Sequence, residues 1–227
     1  MKNIAIIPAR SGSKSLRDKN IKELNGKPLL AYSIDVAITS GLFDEVMVST
    51  DSKLYANVAR ENGASVPFLR SKEQSSDNAG SWGVVEEVLH KYEEFGKKFD
   101  TVCLLQPTSP LRTAKDIIDG YQLLMEKNGD AVTAVCEMDH SPLWSMVLPE
   151  DNSLSGFRKT LKSVPRQQLA KYYRINGALY IRRIDYKDNQ IIILDENEYA
   201  LIMARRKSVD IDTLEDFELA EWLLHGK

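Results

Sequence analysis

Apolar residues in the first 136 positions follow two alternating patterns, short continuous runs and runs with helical spacing. Ile4–Pro8 is a run rich in β-branched residues, which predicts a buried strand. Pro28–Ile38 carries apolar residues at helical spacing, with proline in the first turn and Gly41 just past the end. Further predicted strands are Val46–Thr50, Val66–Leu69, Thr101–Leu105 and Ala131–Cys136, and further predicted helices are Leu54–Asn62, Trp82–Phe95 and Thr113–Lys127. This alternation indicates parallel βαβ units, and therefore an α/β fold with a mostly parallel sheet in a three-layer α/β/α arrangement.

The alternation stops between about residues 140 and 174. This segment contains Pro142, Pro149 and Pro165, and its basic residues are Arg158, Lys159, Lys162, Arg166 and Lys171. Strand patterns return at Ala178–Arg182 and Ile191–Leu194, and Glu215–Leu224 predicts a closing helix. We interpret the chain as one domain, residues 1–227, with an inserted arm at about 140–174.

Composition excludes several classes of protein. Lys and Arg number 30 against 33 Asp and Glu, a formal charge of −3, which argues against a general nucleic-acid binder. Cys103 and Cys136 lie in apolar runs without metal-ligand spacing, as expected of buried thiols in a reducing compartment. No run approaches the roughly 18 apolar residues of a membrane span, and the N-terminal run is too short for a signal peptide. We therefore expect a cytoplasmic protein.

The loop after the first predicted strand is rich in positive charge. Arg10, Lys14, Arg17 and Lys19 fall within ten positions, separated by small residues such as Gly12. In open α/β sheets the ligand crevice lies beyond the carboxyl ends of the strands, where this loop begins. Small residues let backbone N–H groups approach phosphate oxygens, and the cations neutralise phosphate charge. The loop is neither a Walker A sequence nor a GxGxxG. It predicts a phosphate-binding loop, with a solvated basic loop as the alternative.

Two aspartates near the C-terminus, Asp210 and Asp212, are spaced to act together. In an extended segment, residues two apart point to the same side. At about 5 Å and an effective dielectric near 20, their charges repel by roughly 3 kcal/mol, which a divalent cation would relieve. Mg²⁺ commonly uses one or two carboxylates plus substrate phosphates. The alternative is that Asp212 caps the closing helix, with Glu215 three residues on as its capping-box partner.

The segment Gln106–Arg112 directly follows a predicted strand, so it too lies at a carboxyl end. Pro107 and Pro110 stiffen it. A rigid loop in this place predicts the floor of a sugar pocket, and an ordinary Pro-rich turn is the alternative.

An ordered set of motifs across nearly the whole chain resembles the N-acylneuraminate cytidylyltransferases, also called CMP-sialic acid synthetases, and similar bacterial enzymes that act on legionaminic acid. The matching segments are Ile6–Arg10, Gly12–Lys14, Lys19–Ile21, Gly26–Leu29, Ser49–Asp51, Leu105–Arg112, Arg166–Gln167, Arg174–Ala178 and Asp210–Asp212. The resemblance implies a Rossmann-like nucleotide-diphospho-sugar transferase fold. It implies transfer of CMP from CTP to an acidic nine-carbon sugar, with release of pyrophosphate.

The resemblance also implies roles for individual residues. Those matching the family's nucleotide site are Arg10, Ser13, Lys14, Lys19, Asn20, Arg70, Ala79 and Ser81. Gln106 matches a contact to the sugar, Arg166 matches the clamp on the sugar carboxylate, and Asp210 and Asp212 match the Mg²⁺ ligands. The residues expected to act in catalysis are Arg10, Lys14, Lys19 and Asp212, of which Asp212 is the first candidate for the general base.

The implied reaction is direct in-line attack by the sugar's anomeric hydroxyl on the α-phosphorus of CTP, organised by Mg²⁺. In the family the arm forms a dimer, so the resemblance implies a homodimer. Ser15, Ser71 and Ala170 depart from the family's usual glycine, proline and proline. They put loop geometry and sugar choice in doubt, rather than the reaction class.

Three alternatives remain open. One is a cytidylyltransferase for the eight-carbon acid 3-deoxy-manno-octulosonate, whose first loop usually carries a Ser-Thr-Arg-Leu-Pro run that is missing here. Another is a pyrophosphorylase that joins UTP, GTP or ATP to a sugar 1-phosphate, although this loop is poorer in glycine. The third is a catalytically silent binding module, which would have no need of the aspartate pair.

Overall fold

A seven-stranded sheet forms the centre of the chain in the computed structural model, which describes residues 1–13, 16–76, 80–160, 169–188 and 190–226. The strands are β1 (Asn3–Pro8), β2 (Glu23–Leu24), β3 (Lys27–Pro28), β4 (Glu45–Ser49), β5 (Thr101–Leu104), β6 (Ala131–Glu137), β7 (Tyr173–Lys187), β8 (Gln190–Ile193) and β9 (Glu198–Ile202). The helices are α1 (Leu29–Ser40), α2 (Lys53–Glu61), α3 (Ser81–Glu94), α4 (Ala114–Glu126), α5 (Ser155–Thr160) and α6 (Leu214–His225).

The strand order of the main sheet is β4-β1-β5-β7-β6-β9, and β8 pairs with β7. β1 is parallel to β4 and β5, and β6 is parallel to β9. β7 is antiparallel to β5, β6 and β8, so it is the one strand of this sheet that runs against the others. β2 and β3 form a separate two-stranded ribbon. The predicted α/β class with a mostly parallel sheet is confirmed.

Helices cover both faces of the sheet, which explains the continuous apolar runs of the central strands. In β1, Ala5 and Ile7 face one core cluster, which α1, α2 and α4 complete. Ile4 and Ile6 face a second cluster, which α3 completes. All four side chains are fully buried. A third, smaller cluster packs α6 against the start of α1. The three-layer arrangement follows from the burial of both strand faces.

The predicted strand Val66–Leu69 is wrong. Only the residue before it, Ser65, bridges Met47 of β4. Pro67 has no N–H to donate to a neighbouring strand, so the ladder cannot continue there. The segment instead leads Arg70 back toward the end of β4, where the Arg70 N–H donates to the Thr50 carbonyl.

Two features of the second half differ from the prediction. β7 extends well beyond Ala178–Arg182 at both ends. Its pairing with β6 is irregular, because a step of two positions along β6, from Thr133 to Val135, corresponds to a step of five along β7, from Tyr180 to Ile175. The irregularity contains Gly177, whose φ is +77°. β9 was not predicted, because only Tyr199 and Leu201 of this edge strand turn toward the core.

The arm contains a short 3₁₀ helix, Pro142–Trp144, and α5, and a hydrogen bond from Met138 N–H to the Tyr172 carbonyl closes its base. Residues 161–168 lie outside the described part of the chain, and so do Lys162 and Arg166 of the predicted basic patch. Within the described residues, no helix is long and apolar enough to cross a membrane.

Asp116 links the start of α4 to Lys207, and its substitution tests how much these buried hydrogen bonds stabilise the fold. It is buried, completes the capping box of α4 with Thr113, and accepts hydrogen bonds from Lys207 Nζ at 3.0 and 3.1 Å. We expect Asp116→Ala to lower the free energy of unfolding by about 1–3 kcal/mol, because it leaves the Thr113 N–H without its acceptor and removes the carboxylate that pairs with Lys207.

Asp119→Ala on the same helix is the matched control. Within the described part of the chain, Asp119 pairs only with the exposed Lys115, and its loss should change the free energy by less than about 0.5 kcal/mol. Urea unfolding of both variants measures the difference, and equal effects would contradict this account.

Candidate active site

A cleft of about 380 Å³ opens at the carboxyl ends of β1, β4 and β5. Its lining residues are Pro8, Arg10, Ser13, Lys19, Asn20, Arg70, Ser81, Val84, Gln106, Pro107, Thr108 and Asp212. Eight of the predicted site residues are therefore brought together from five separate segments of the chain. Three others, Lys14, Ala79 and Arg166, lie outside the described residues, as does Ser15.

The first loop is anchored at both of its ends. Ser11 donates to the Asp51 carboxylate through its N–H at 2.9 Å and its hydroxyl at 2.8 Å. Asn20 Nδ2 donates to the Arg10 carbonyl at 3.1 Å. Burial acts to raise the pKa of Asp51, but the hydrogen bonds from Ser11, together with the charge of Arg70, hold that pKa below its usual value. Asp51 was not predicted as a site residue, although it ends the Ser49–Asp51 motif.

Lys19 connects this loop to the segment that carries the two aspartates. Lys19 begins a short 3₁₀ helix, Lys19–Ile21, and its side chain is buried. Its Nζ donates to the Ile211 carbonyl at 2.6 Å and to Asp212 Oδ1 at 3.2 Å. Lys19 therefore holds the Ile211 backbone and also lines the cleft. It brings positive charge beside Asp212 and fixes the position of that carboxylate.

Arg70 is held at the base of the cleft by the end of β4. Its Nε donates to Ser49 Oγ at 3.0 Å, and Nη2 donates to the Ser49 carbonyl at 2.5 Å. Burial lowers the pKa of Arg70 to about 10, which still leaves the guanidinium charged at neutral pH. The cleft therefore keeps a fixed, partly desolvated cation on this wall.

The segment that follows Arg70 is clamped to α3. Glu87 accepts from Ser71 N–H at 2.9 Å and Ser71 Oγ at 3.2 Å, and it pairs with Lys91 at 2.5 Å. Lys91 also donates to the Leu69 carbonyl. Because a proline at position 71 would have neither the N–H nor the hydroxyl, the departure from the family pattern provides a hydrogen-bonded anchor here.

Asp210 and Asp212 differ sharply in environment. Among the described residues, Asp210 Oδ1 is buried without a hydrogen-bond partner. Burial raises the pKa of Asp210, and the negative charge of Asp212 adds to that rise, while a hydrogen bond with the Thr108 side chain opposes it. The Asp212 side chain is 73% exposed and contacts Lys19. One carboxylate thus carries an unsatisfied oxygen, and the other faces the cleft.

The alternative in which Asp212 caps the closing helix is wrong. The N-cap of α6 is Thr213, and its capping-box partner is Asp216 rather than Glu215. The backbone N–H of Asp212 donates to Asp216 Oδ2 at 3.0 Å. Capping is therefore complete without the Asp212 carboxylate, which is left for the cleft.

The donor set fits a hard divalent cation that also binds a substrate. Within the described residues, no group of three or more His, Cys, Asp or Glu side chains could hold a metal. The protein offers two carboxylates, and one has a buried oxygen that lacks a donor. This matches Mg²⁺, which completes its shell with water and phosphate oxygens.

Gln106 lies against the irregularity of β7. A Cβ added to Gly177 would lie 2.5 Å from Gln106 Oε1 and 3.6 Å from Asp210 Oδ2. The distance to Asp210 is an ordinary van der Waals contact, whereas the Gln106 amide lies where a methyl group would have to displace it, and glycine also tolerates the positive φ. Gly177 and Thr108 are contributors that the predicted site lacked, although both fall in segments that carry the resemblance.

Asp210→Asn tests the buried carboxylate. Without its charge, the desolvated oxygen should no longer destabilise the fold, and we expect the melting temperature in the presence of EDTA to rise by about 2–4 °C. Asp212→Asn is the control, and it should not raise the melting temperature, because its carboxylate is solvated and pairs with Lys19. Differential scanning calorimetry measures both, and a lower melting temperature for Asp210→Asn would contradict the assignment.

Comparison with known sequences identifies relatives along nearly the whole chain. The model of the cytidylyltransferase family matches residues 4–226. Pseudaminic acid cytidylyltransferase of Campylobacter jejuni is 34% identical over 223 residues, which cover 98% of this chain and 96% of the relative. CMP-N,N'-diacetyllegionaminic acid synthase of Legionella pneumophila is 35% identical over 231 residues, covering 99% and 97%. N-acylneuraminate cytidylyltransferase of Streptococcus agalactiae is 37% identical over 219 residues, covering 96% of this chain but 52% of the relative.

A solved structure has the same fold over its whole length. CMP:2-keto-3-deoxy-manno-octonic acid synthetase complexed with CTP superposes with a TM-score of 0.72, covering 100% of this chain and 99% of that one, at 18% identity. The family resemblance inferred from the motifs is confirmed by the family model and by relatives above 30% identity. This chain therefore belongs to the cytidylyltransferase family and is a nucleotidyltransferase.

Proposed function

We propose that this chain transfers CMP from CTP to a nonulosonic acid, a nine-carbon 2-keto sugar acid, and releases pyrophosphate. The observation that carries the proposal is the single cleft that joins the first-loop cations, Arg70, Gln106 and Asp212. The three relatives compared above carry the names of three different nine-carbon acids at similar identity. They support the sugar class, and the proposal is limited to that class.

The nucleotide would occupy the end of the cleft formed by the first loop and α3. Arg10 and Lys19 would face the triphosphate, with Ser13 and Asn20 as polar contacts. The base and ribose would lie against Arg70 and Ser81, at the end of β4 and the start of α3. The predicted contacts of Lys14 and Ala79 remain predictions. Fixed donors of this kind stabilise charge without reorganising during the reaction.

The sugar acid would occupy the other end, beside Gln106 and Thr108. Its anomeric hydroxyl would attack the α-phosphorus, forming the new P–O bond while the bond to the bridging oxygen breaks and pyrophosphate leaves. Asp212 lies in the cleft with its carboxylate exposed, so it is the first candidate to accept the hydroxyl proton. The carboxylate clamp assigned to Arg166 remains a prediction.

Asp210 and Asp212 would hold Mg²⁺. When bound, this ion neutralises phosphate charge and lowers the pKa of a coordinated hydroxyl. The chain's own contribution is to hold the two carboxylates in place, Asp212 through Lys19 and Asp210 through Thr108. Positioning and electrostatics then provide most of the acceleration, as in other phosphoryl transfers.

The reaction is tested by pyrophosphate release from each of the four ribonucleoside triphosphates with Mg²⁺. Acceptors are N-acetylneuraminate, legionaminate, pseudaminate and 3-deoxy-manno-octulosonate. We expect release only with CTP and a nine-carbon acid, and Asp212→Asn should lower kcat by about 100-fold or more. Glu215→Gln, an exposed neighbour on α6, is the control and should keep wild-type kcat. Release with the eight-carbon acid alone, or with another nucleotide, would overturn the proposal.

Gly177→Ala tests the sugar end of the cleft. Its methyl group would displace the Gln106 amide, so we expect the KM for the sugar acid to rise by about tenfold with little change in the KM for CTP. Gly41→Ala is the matched control, because its φ is +66° and no atom lies within 4 Å of the added Cβ. Both variants should lose about 1–2 kcal/mol of stability from backbone strain. A similar rise in sugar KM for Gly41→Ala would refute the explanation.

We also propose a homodimer, formed through the arm. Among the described arm residues, Trp144, Val147 and Leu148 are exposed, and Val147 is 92% exposed. Ile175 and Ile202 are exposed on nearby strands. A surface this apolar is typical of an interface between subunits. Light scattering at micromolar concentration should give the mass of a dimer, and Val147→Asp should weaken it, whereas a monomeric wild-type chain would contradict the proposal.

A cytoplasmic location agrees with this function. The proposed reaction consumes CTP, and Cys103 and Cys136 are free, buried thiols, as is typical of a reducing compartment.

A further inference from the structure

The Gln106–Arg112 loop ends in a buried charge that the proposed function does not use. Arg112 is 2% exposed, between α1, β7 and its own loop. Its Nη2 donates to Ser33 Oγ at 2.6 Å. Its Nη1 donates to the Ala178 carbonyl in a short hydrogen bond and to the Gln106 carbonyl at 3.4 Å. One guanidinium therefore joins three segments that are distant in sequence.

These contacts hold the Gln106 backbone and the strand next to its side chain. Ser33 Oγ accepts from Arg112 and itself donates to the Gln106 carbonyl at 3.3 Å, so two groups hold this backbone position. Ala178 directly follows Gly177, against which the Gln106 amide packs. Arg112 thus fixes both the backbone that carries the Gln106 side chain and the strand surface on which that side chain rests.

The chemistry of the contacts indicates a geometric function. Burial lowers the pKa of Arg112 to about 10, so the group is charged at neutral pH. The acceptors that the structure gives it are two carbonyls and a hydroxyl, which are weaker partners than a carboxylate. A desolvated charge of this kind contributes little net stability compared with an apolar side chain of similar volume. What it supplies instead is the planar fork of a guanidinium, which sets the angles and spacing of its acceptors.

We propose that Arg112 is a positioning residue for the sugar-acid half of the cleft, acting through Gln106. The proposal rests on the proposed function, because it takes Gln106 as the contact to the sugar acid. A misplacement of about 1 Å in such a contact can cost up to 100-fold in rate. The nucleotide half is held by Asp51, Ser49 and Glu87, and it should not depend on Arg112.

The test compares Arg112→Met, Arg112→Lys and Ser33→Ala, with steady-state kinetics measured for each substrate in turn. For Arg112→Met we expect the KM for the sugar acid to rise by about tenfold or more, with the KM for CTP within about twofold of wild type. Arg112→Lys should recover part of the loss, because the ammonium keeps the charge but not the fork. Ser33→Ala removes one of the contacts and should give a smaller rise, in a variant that keeps Arg112.

Leu124→Ala controls for loss of stability. Leu124, on α4, is fully buried in the core cluster that contains Ala5 and Ile7, and its truncation costs about 2–5 kcal/mol. It takes no part in the hydrogen bonds of Arg112 and Ser33 described above. It should leave the KM for both substrates unchanged. A rise in both KM values for the Arg112 and Ser33 variants, or a rise in sugar KM for Leu124→Ala, would overturn the proposal.

A second readout needs no turnover. The side-chain amide resonances of Gln106 in a ¹⁵N–¹H spectrum, assigned with Gln106→Glu, should shift in Arg112→Lys and Ser33→Ala and stay in place in Leu124→Ala. Unchanged resonances would overturn the positioning claim. If the resonances shift as expected but wild-type protein turns over no nonulosonic acid, the proposed function fails and the positioning of Gln106 stands.

Discussion

The contact from Lys19 to the Ile211–Asp212 backbone and carboxylate holds the cleft together. It joins residues 192 positions apart, with Nζ 2.6 Å from the Ile211 carbonyl. The same segment is fixed from its other side, because Ile211 N–H donates to the Thr108 carbonyl at 2.9 Å. Three segments that lie between the main strands and helices are thereby held to one another through a buried ammonium and one backbone hydrogen bond. A site built from loops needs such support to keep its geometry.

The reversal of strand direction at β7 explains why both halves of the cleft lie at one edge of the sheet. Loops after β1, β4 and β5 leave from carboxyl ends, as expected of an open α/β sheet. Because β7 runs antiparallel to β5, it brings residues from its first half, Gly177 and Ala178, to that same edge. Arg112 ties these residues to the loop after β5. The proposed nucleotide end would thus lie beyond the parallel strands, and the proposed sugar end would lie between the loop after β5 and the strand that runs against it.

Much of this arrangement could be predicted from sequence, because it depends on local patterns. β1 and β5 have both faces buried and read as continuous apolar runs, and the first-loop cations and the aspartate pair are recognisable by spacing. The predicted strand at Val66–Leu69 was wrong because Pro67 has no backbone N–H to donate to a neighbouring strand. β9 was missed because it is an edge strand, in which only two side chains face the core and form an apolar pattern. The alternative in which Asp212 caps α6 was wrong by one residue, since Thr213 and Asp212 are both good caps.

The polar supports could not be predicted, because their partners are distant in sequence. Arg112 reads as the end of a Pro-rich loop, and nothing near it indicates contacts with residues 33 and 178. Asp51 reads as the start of a helical region, yet it anchors the loop 40 positions before it. Periodicity reports which side chains face the core, whereas a hydrogen bond across the sheet edge leaves no period. The positions of such residues emerge only from the fold.

The central claim is that Lys19 and Asp212 act as one unit in CTP-dependent transfer to a nonulosonic acid. A double-mutant cycle on kcat/KM, with Lys19→Met, Asp212→Asn and the double variant, tests it most directly. The account predicts that the double variant is about as impaired as the worse single variant, which corresponds to a coupling free energy above about 1 kcal/mol. Effects that simply multiply would show that the two residues act independently, and would contradict it.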